Sequence, residues 1–503
     1  MKNIVKIVKF IRACEPRRPM DLVEPIVKQI ELAEKYNLPT TFLFQYDALI
    51  LPEFTDLVKD CDEKYELGVW LEVPKPLVEK VGLKWSGREG FDWDWFSHVG
   101  MLVGYTTDER KLLVDECMRC FKEKFGYYPK TVGCWSIDGF TLDYLDKTYG
   151  IDAALICKEQ WGTDGYSLWG GYYSEAYYPA RNNMFCPADN LNNQVNIPVF
   201  RMLGSDPIDQ YMNGLDKEWQ GVETLEPSCG TGKDPQWINW YINTYFDNNN
   251  IGLNYAQAGQ ENSFGWKWME KGLPIQYEIF AEKRAKGELD VMNSGAIGRM
   301  FMDMYKLTPC TTTVARKEDR GTTWFNNKNY RASLYFMDDL FFLRDLFIFN
   351  DDYRERYYEE VATGESLYFD NLPFIDCYRW SKNGNIGGGY FLKNGETVKL
   401  AGDFITENIG EYGLKVTAPT NCGEITVTFL DDEVEFVFPE SGFAFEARIF
   451  NDQKAPTIAA NKNEITLNYR GFEYSVKTDG AAEITENGFV IKSNSDKLTL
   501  KFN

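Results

Sequence analysis

The sequence predicts an α/β chain: a (β/α)7-type barrel followed by an all-β, sandwich-like domain. Two observations predict it. Strand-like and helix-like segments alternate as far as residue 307, and short strands split by Gly, Asn and Asp fill the chain after residue 365. A length of 503 residues with 44% hydrophobic content supports two or three domains with large cores. The expected organisation is a barrel over 1–307, a helical or irregular connection over 308–365 and a β-sandwich-like domain over 366–503.

The barrel elements follow in order. Ile4–Ile11 is β-rich, and Asp21–Tyr36 is an amphipathic helix ended by Asn37-Leu38-Pro39. Thr40–Gln45 reads as a strand, Glu53–Tyr65 as a helix and Glu66–Val73 as a strand. Thr107–Phe125 is a long helix, Thr131–Ile137 a strand, Phe140–Tyr149 a helix and Ala153–Cys157 a strand. Ile197–Leu203 and Ile251–Ala258 add two strands, and Gln276–Tyr305 is largely helical. Repeated strand–helix units imply a parallel sheet, closed or nearly so, with its site at the carboxyl ends of the strands. Three long inserts interrupt it: Pro74–Gly104 with Trp85, Trp93 and Trp95, then Trp161–Asn196, then Leu215–Gln236. Their aromatic content favours ordered, cleft-forming loops. Helical periodicity continues around Arg331–Phe349 before the β texture begins.

A net charge of −22 argues against nucleic acid and anionic membrane, both of which need basic patches. Met1–Phe10 has no apolar leader region, and no apolar run approaches a membrane span. Eleven scattered cysteines then read as reduced thiols in a cytoplasm. Cys117 and Cys120 form a C-x-x-C, but on a helical pattern with no second pair nearby, so packing explains them better than zinc. Aromatics make up 16% of the chain. They fill a core or line a cleft in which ring faces stack on sugars.

Barrel logic nominates polar residues after each strand: Arg12 and Glu15, Gln45 and Asp47, Glu72, Asp138, Lys158, Glu159 and Gln160, Arg201 and Asp206, and Gln260 and Glu261. Each is a candidate for substrate binding or for a structural ion pair at the rim. Trp70, Trp93, Trp135, Trp169 and Trp266 are candidate sugar platforms. Gly162–Tyr173 (GTDGYSLWGGYY) reads as an aromatic lid carrying Asp164 and Trp169, not as a phosphate loop, because it lacks the required Gly-Lys-Ser/Thr order. His98 is the sole histidine. Its ordinary uses are packing and capping, with ligand contact as the alternative.

Three stretches carry a resemblance. Phe125–Cys157 (FGYYPKTVGCWSIDGFTLDYLDKTYGIDAALIC) resembles a segment shared by polysaccharide deacetylase-type barrels and glycoside hydrolase family 57. In that family a strand ends in W-x-P-E, and its Glu is the nucleophile; here Trp135-Ser136-Ile137-Asp138 matches, with Tyr149-Gly150-Ile151 downstream. Gly259–Ile275 (GQENSFGWKWMEKGLPI) is similar to the family pattern that bears the acid/base Asp, and Glu261 is its only early carboxylate. Trp266 stands where that pattern has His. Ala33–Phe44 (AEKYNLPTTFLF) resembles a strand of the same superfamily. The resemblance implies a retaining two-carboxylate glycosidase with Asp138 as nucleophile and Glu261 as acid/base. Deacetylases of this type bind a divalent metal through two histidines and an aspartate, which one histidine cannot supply. No metal and no cofactor are therefore expected. The substrate is expected to be a neutral oligosaccharide or glycoside. The alternatives are other metal-free carbohydrate chemistry (transglycosylase, lyase or amidase) and sugar binding without catalysis.

Overall fold

A computed structural model describes residues 3–502 except 60, 62, 63, 164, 165, 174, 203, 216–222 and 369; for 161–168 it describes no side chains. Seven parallel strands form the first sheet: β1 (Ile4–Ile11), β2 (Thr40–Phe44), β3 (Tyr65–Trp70), β4 (Thr131–Gly133), β5 (Ala153–Ile156), β6 (Val199–Arg201) and β7 (Tyr255–Ala258). Their order is β7-β1-β2-β3-β4-β5-β6. The sheet curls like a half-barrel, and among the described residues β6 and β7 are not paired, so full closure is not observed. β6 pairs instead with the antiparallel Ala176–Tyr177. Across the seam to β7, the Tyr255 hydroxyl donates to the Arg201 carbonyl (2.9 Å).

Helices on the outside follow local rules. α1 (Glu24–Tyr36) starts with Pro25 and stops at Asn37, whose φ of 51° reverses the chain. α2 (Thr107–Phe125) has a Thr106–Glu109 capping box and ends at Gly126. α3 (Gly139–Tyr149) is capped by the Asp138 side chain, and α4 (Pro235–Tyr245) by Asp234. α5 spans Gly272–Ala285 and α6 spans Ser294–Met304. The helix expected over 53–65 is confined to Pro52–Thr55. At the floor of the sheet, Glu66 accepts from the Gly295 amide in the first turn of α6, and from Thr41 and Thr131.

The β region begins earlier than the sequence indicated. Thr311–Arg316, Arg320–Asn326, Tyr330–Met337 and Leu340–Ile348 are antiparallel strands of a ten-stranded sheet, so residues 331–349 are not helical. Both faces of these strands are buried, which erases the alternation that marks a half-exposed strand. An eight-stranded sheet packs on the other side through Phe325 and Phe429 (5.5 Å between ring centroids) and Phe436 and Phe445 (5.4 Å). The carboxyl-terminal region is thus all-β, built of separate sheets packed through their aromatic faces.

A buried ionic junction joins the two halves. Arg331 pairs with Glu159, and with Asp345 at 2.7 Å. The Tyr211 hydroxyl donates to Asp345 (2.7 Å), and Tyr173 stacks flat on Trp324 (3.5 Å).

Candidate functional site

The carboxyl ends of β1, β2, β3 and β7 place four polar side chains around one guanidinium. Arg12 follows β1. Its Nε donates to Glu72 Oε2 (3.0 Å) and Gln45 Oε1 (3.1 Å), and Nη2 donates to Glu72 Oε2 (2.8 Å). Nη1 reaches Glu261 Oε1 (3.2 Å) and Ser263 Oγ (3.1 Å), and Ser263 in turn donates to Glu261 (2.7 Å). Asn262 fixes the loop after β7 by accepting from the Arg12 amide (2.9 Å) and donating to the Arg12 carbonyl (2.8 Å).

Aromatic rings wall this cluster. Phe10 stacks on Trp70 (4.0 Å), and Trp135 packs edge-on against both (5.2 Å each). Trp70 Nε1 donates to Glu72 (2.8 Å). Trp93 covers the guanidinium, with its ring centroid 4.0 Å from Arg12 Cζ. Arg12, Glu72, Glu261, Gln45 and Trp93 are all at most 3% exposed.

Four polar atoms of this cluster have no hydrogen-bond partner: Gln45 Nε2, Glu72 Oε1, Glu261 Oε2 and Trp93 Nε1. Two are donors and two are acceptors. Buried polar groups are normally paired, so four orphans around one side chain mark a place built for something else.

Charge follows from burial. Desolvation pushes Glu261 up to about 7, against the opposing pull of Arg12 and Ser263. Desolvation also raises Glu72, opposed by Arg12 and by hydrogen bonds from Trp70 and Trp135. Burial alone would lower Arg12, but Glu261, Glu72 and Glu15 outweigh it and raise it. Asp47 is pushed up to about 7 by desolvation; its oxygens accept from the Ala13 (3.1 Å) and Ala48 (2.7 Å) amides.

The remaining nominated residues separate from this cluster. Asp138 is bound to Arg110 (3.0 Å) and caps α3 through the Thr141 amide (3.0 Å) and hydroxyl (2.7 Å). Its hydrogen bonds go to Arg110 and to the start of α3, whereas Glu261 shares Arg12 with Glu72. Glu15 is held by Arg17 (2.6 Å). Arg201 donates to the carbonyls of Cys157 (2.7 Å), Tyr172 and Gly170, a brace at the seam. Asp206 accepts from Trp237 (3.0 Å) and Lys317 (2.8 Å). Trp169 is not on a lid. It is buried against Tyr211 and Tyr378 at the junction with the β region. Gln160 is buried in a short strand, and Trp266 is half-buried on the helix after the β7 loop. Asp164 lies outside the described residues.

Lys158 and Gln260 form a second polar group beside the first. Gln260 accepts from Ser228 (2.8 Å) and donates to Glu226 (3.3 Å). Lys158 donates to the Glu159 carbonyl (3.2 Å), and desolvation lowers it. Sequence reasoning missed Ser263, Asn262, Glu226 and Ser228, which lie in loops that only the fold brings to the rim. Proximity to Glu261 was the one usable signal for Ser263.

A divalent metal does not fit the Arg12 cluster. Its donors are two carboxylates, an amide and a hydroxyl already gathered on a fixed cation, which would repel a second one. Among the described residues, Asp206, Asp209 and Glu223 are the one carboxylate group close enough to hold an ion. Lys317 and Arg320 already pair with Asp206 and Asp209.

No protein-family model matches the chain. No curated protein matches it either. Among solved structures it is similar to a putative glycoside hydrolase/deacetylase from Parabacteroides distasonis (TM-score 0.53, 15% identity, 73% of this chain and 90% of that chain). It also matches a 4-alpha-glucanotransferase from Thermococcus litoralis (TM-score 0.34, 10% identity, 100% and 97%). A third match is a probable polysaccharide deacetylase from Pseudomonas aeruginosa PAO1 (TM-score 0.35, 10% identity, 60% and 92%). At 15% identity the likeness to the first of these concerns the fold alone. No described helix is long and apolar enough to cross a membrane.

Proposed function

We propose that the chain is a glycoside hydrolase acting on a neutral glycoside or oligosaccharide, with Glu72 as nucleophile and Glu261 as acid/base. The observation that carries this reading is the set of four orphaned polar atoms gathered around Arg12. A sugar ring carries hydroxyls that each donate and accept, and its C–H face packs on indole. Gln45 Nε2, Trp93 Nε1 and the two free carboxyl oxygens are a matching set.

The roles follow from environment. Glu261, raised to about 7, holds a proton near neutrality and suits the general acid. Glu72 takes two hydrogen bonds from Arg12 and one from Trp70, which favour its ionised form and suit a nucleophile. Because they hold opposite sides of one planar guanidinium, the two oxygens bonded to it lie roughly 7 Å apart, and a retaining course requires their free oxygens to approach each other more closely. In the first step Glu72 attacks the anomeric carbon while Glu261 protonates the departing oxygen. In the second, Glu261 takes a proton from water as that water displaces Glu72. Eleven cysteines, none in a disulfide, support placing the protein in a reducing compartment such as the cytoplasm.

The test is turnover of a panel of α- and β-aryl glycosides by wild type, Glu72→Gln and Glu261→Gln. Turnover lost in both variants supports the assignment. Turnover retained in Glu72→Gln sinks it.

A further inference from the structure

The Arg12 cluster is sealed, and the seal is a folded unit rather than a loose loop. Residues 83–100 leave the barrel rim after α-helical Lys75–Lys80 and return at Gly100. Arg88 organises them: it grips both Asp94 oxygens (2.9 and 2.8 Å) and stacks against Trp95 (4.0 Å). Gly82, just before the unit, has a φ of 80° and open space around it, where a chain can pivot without a side chain to clear. At its inner face Trp93 sits on Arg12, with its indole N–H buried and unpaired. A fully satisfied wall would bond that N–H, so the ring rests there as a cover.

The outer foot is tied to the other half of the chain. The amides of Ser97 and His98 donate to the carbonyls of Glu365 (2.8 Å) and Gly364 (3.3 Å). Ser97 Oγ (2.9 Å) and His98 Nδ1 (2.8 Å) both reach the Gly364 carbonyl. The protein's one histidine is thus spent on a contact between the cover and the segment linking strands of the β region. Elsewhere the cover is tied by the Lys75 amide and ammonium on Asp92 (2.7 and 3.3 Å), by the Val73 amide on Gly100 (2.9 Å), by the Tyr105 hydroxyl on Val99 (2.9 Å) and by Arg17 against Trp93 and Trp95.

We propose that residues 83–100 are a lid over the Arg12 cluster, and that the Ser97–His98 contact with Gly364–Glu365 is its latch. The β region then controls entry to the barrel. This rests on the reading of that cluster as the sugar site, and its test does not need a sugar. Hydrogen exchange of the full chain is followed in peptides covering 84–96, for wild type, Ser97→Ala/His98→Phe and Trp93→Ala. Phe keeps the ring that packs on Phe96, and the pair of substitutions removes the two side-chain bonds to Gly364 while the two amide bonds stay, so the latch is weakened rather than abolished.

Weakening the latch is expected to speed exchange in 84–96 by roughly tenfold while the β1 and β3 peptides stay protected. Trp93→Ala, which frees the inner face without touching the latch, is expected to do the same. Unchanged exchange in 84–96 for both variants overturns the lid. Acceleration spread equally over the barrel strands also overturns it, because that reports general loosening. Methyl α- and β-glucosides and galactosides are then added to the wild type. Faster lid exchange without binding of any of them upholds the lid and counts against the sugar site. Binding with an unmoved lid counts the other way.

Discussion

Glu72 and Glu261 hold different edges of the same guanidinium: Glu72 takes Nε and Nη2 of Arg12, and Glu261 takes Nη1. One buried cation therefore fixes the spacing of two carboxylates from strands that are far apart in sequence. Desolvation raises both carboxyls, and the Arg12 guanidinium opposes that rise in each.

The two carboxyl variants should differ by leaving group. Glu72→Gln removes the attacking oxygen and is expected to abolish turnover of every substrate by about a thousandfold or more. Glu261→Gln should cost far less with a nitrophenol, which departs without a proton, than with an alkyl glycoside. Steady-state rates on matched aryl and alkyl glycosides check this. Equal losses on both would contradict the acid assignment.

Asp138→Asn tests the position that the sequence motif favoured. Asp138 holds Arg110 and the first turn of α3, so its loss should lower stability by about 2–4 kcal/mol. Turnover by the folded fraction is expected to stay within twofold. Urea unfolding and kcat on one sample separate the two effects, and a large fall in kcat at intact stability would restore Asp138 to the reaction.

Removing the shared cation should be costly. Arg12→Met leaves two buried carboxyls without their counter-charge, and a loss of about 3–5 kcal/mol is expected at neutral pH. The deficit should shrink at acid pH, where both carboxyls are protonated. Denaturation midpoints at pH 5 and pH 8 measure it; an equal deficit at both would argue against an electrostatic origin.

The raised value of Glu261 predicts a pH effect on stability. Its folded value of about 7 lies above the ordinary carboxyl value of 4.5 that it has in the unfolded chain, so the native state binds more protons in between. Its contribution is fully present below about pH 4.5 and is lost as pH rises through about 7, up to about 3 kcal/mol in all. Glu261→Gln should flatten that part of the stability curve relative to wild type. Parallel curves from pH 4 to pH 8 would refute the shift.

Much of the barrel was legible because its helices and strands differ in period, and because caps such as Thr106–Glu109 mark boundaries locally. The strand-end rule also placed Arg12, Gln45, Glu72 and Glu261 among the candidates. It did not show which of them meet, since contacts between β1, β3 and β7 depend on sheet curvature. Asp138 shows why spacing alone is ambiguous: a carboxylate after a strand is also a carboxylate before a helix, and its oxygens cap α3 as well as pairing with Arg110. The strands between 330 and 348 were hidden for another reason. Chain buried on both faces has no alternation to read, and an unbroken apolar run there suits a helix equally well.

The junction of Arg331 with Glu159 and Asp345 has a consequence for how the chain is handled. Cutting after residue 307 would leave Glu159 without Arg331 and strip the cover from Trp169. A barrel expressed alone would thus expose a wet charge and a bare indole beside its own rim. The two halves should melt in a single transition, and shortening this protein from its carboxyl end would yield aggregate rather than a smaller folded protein.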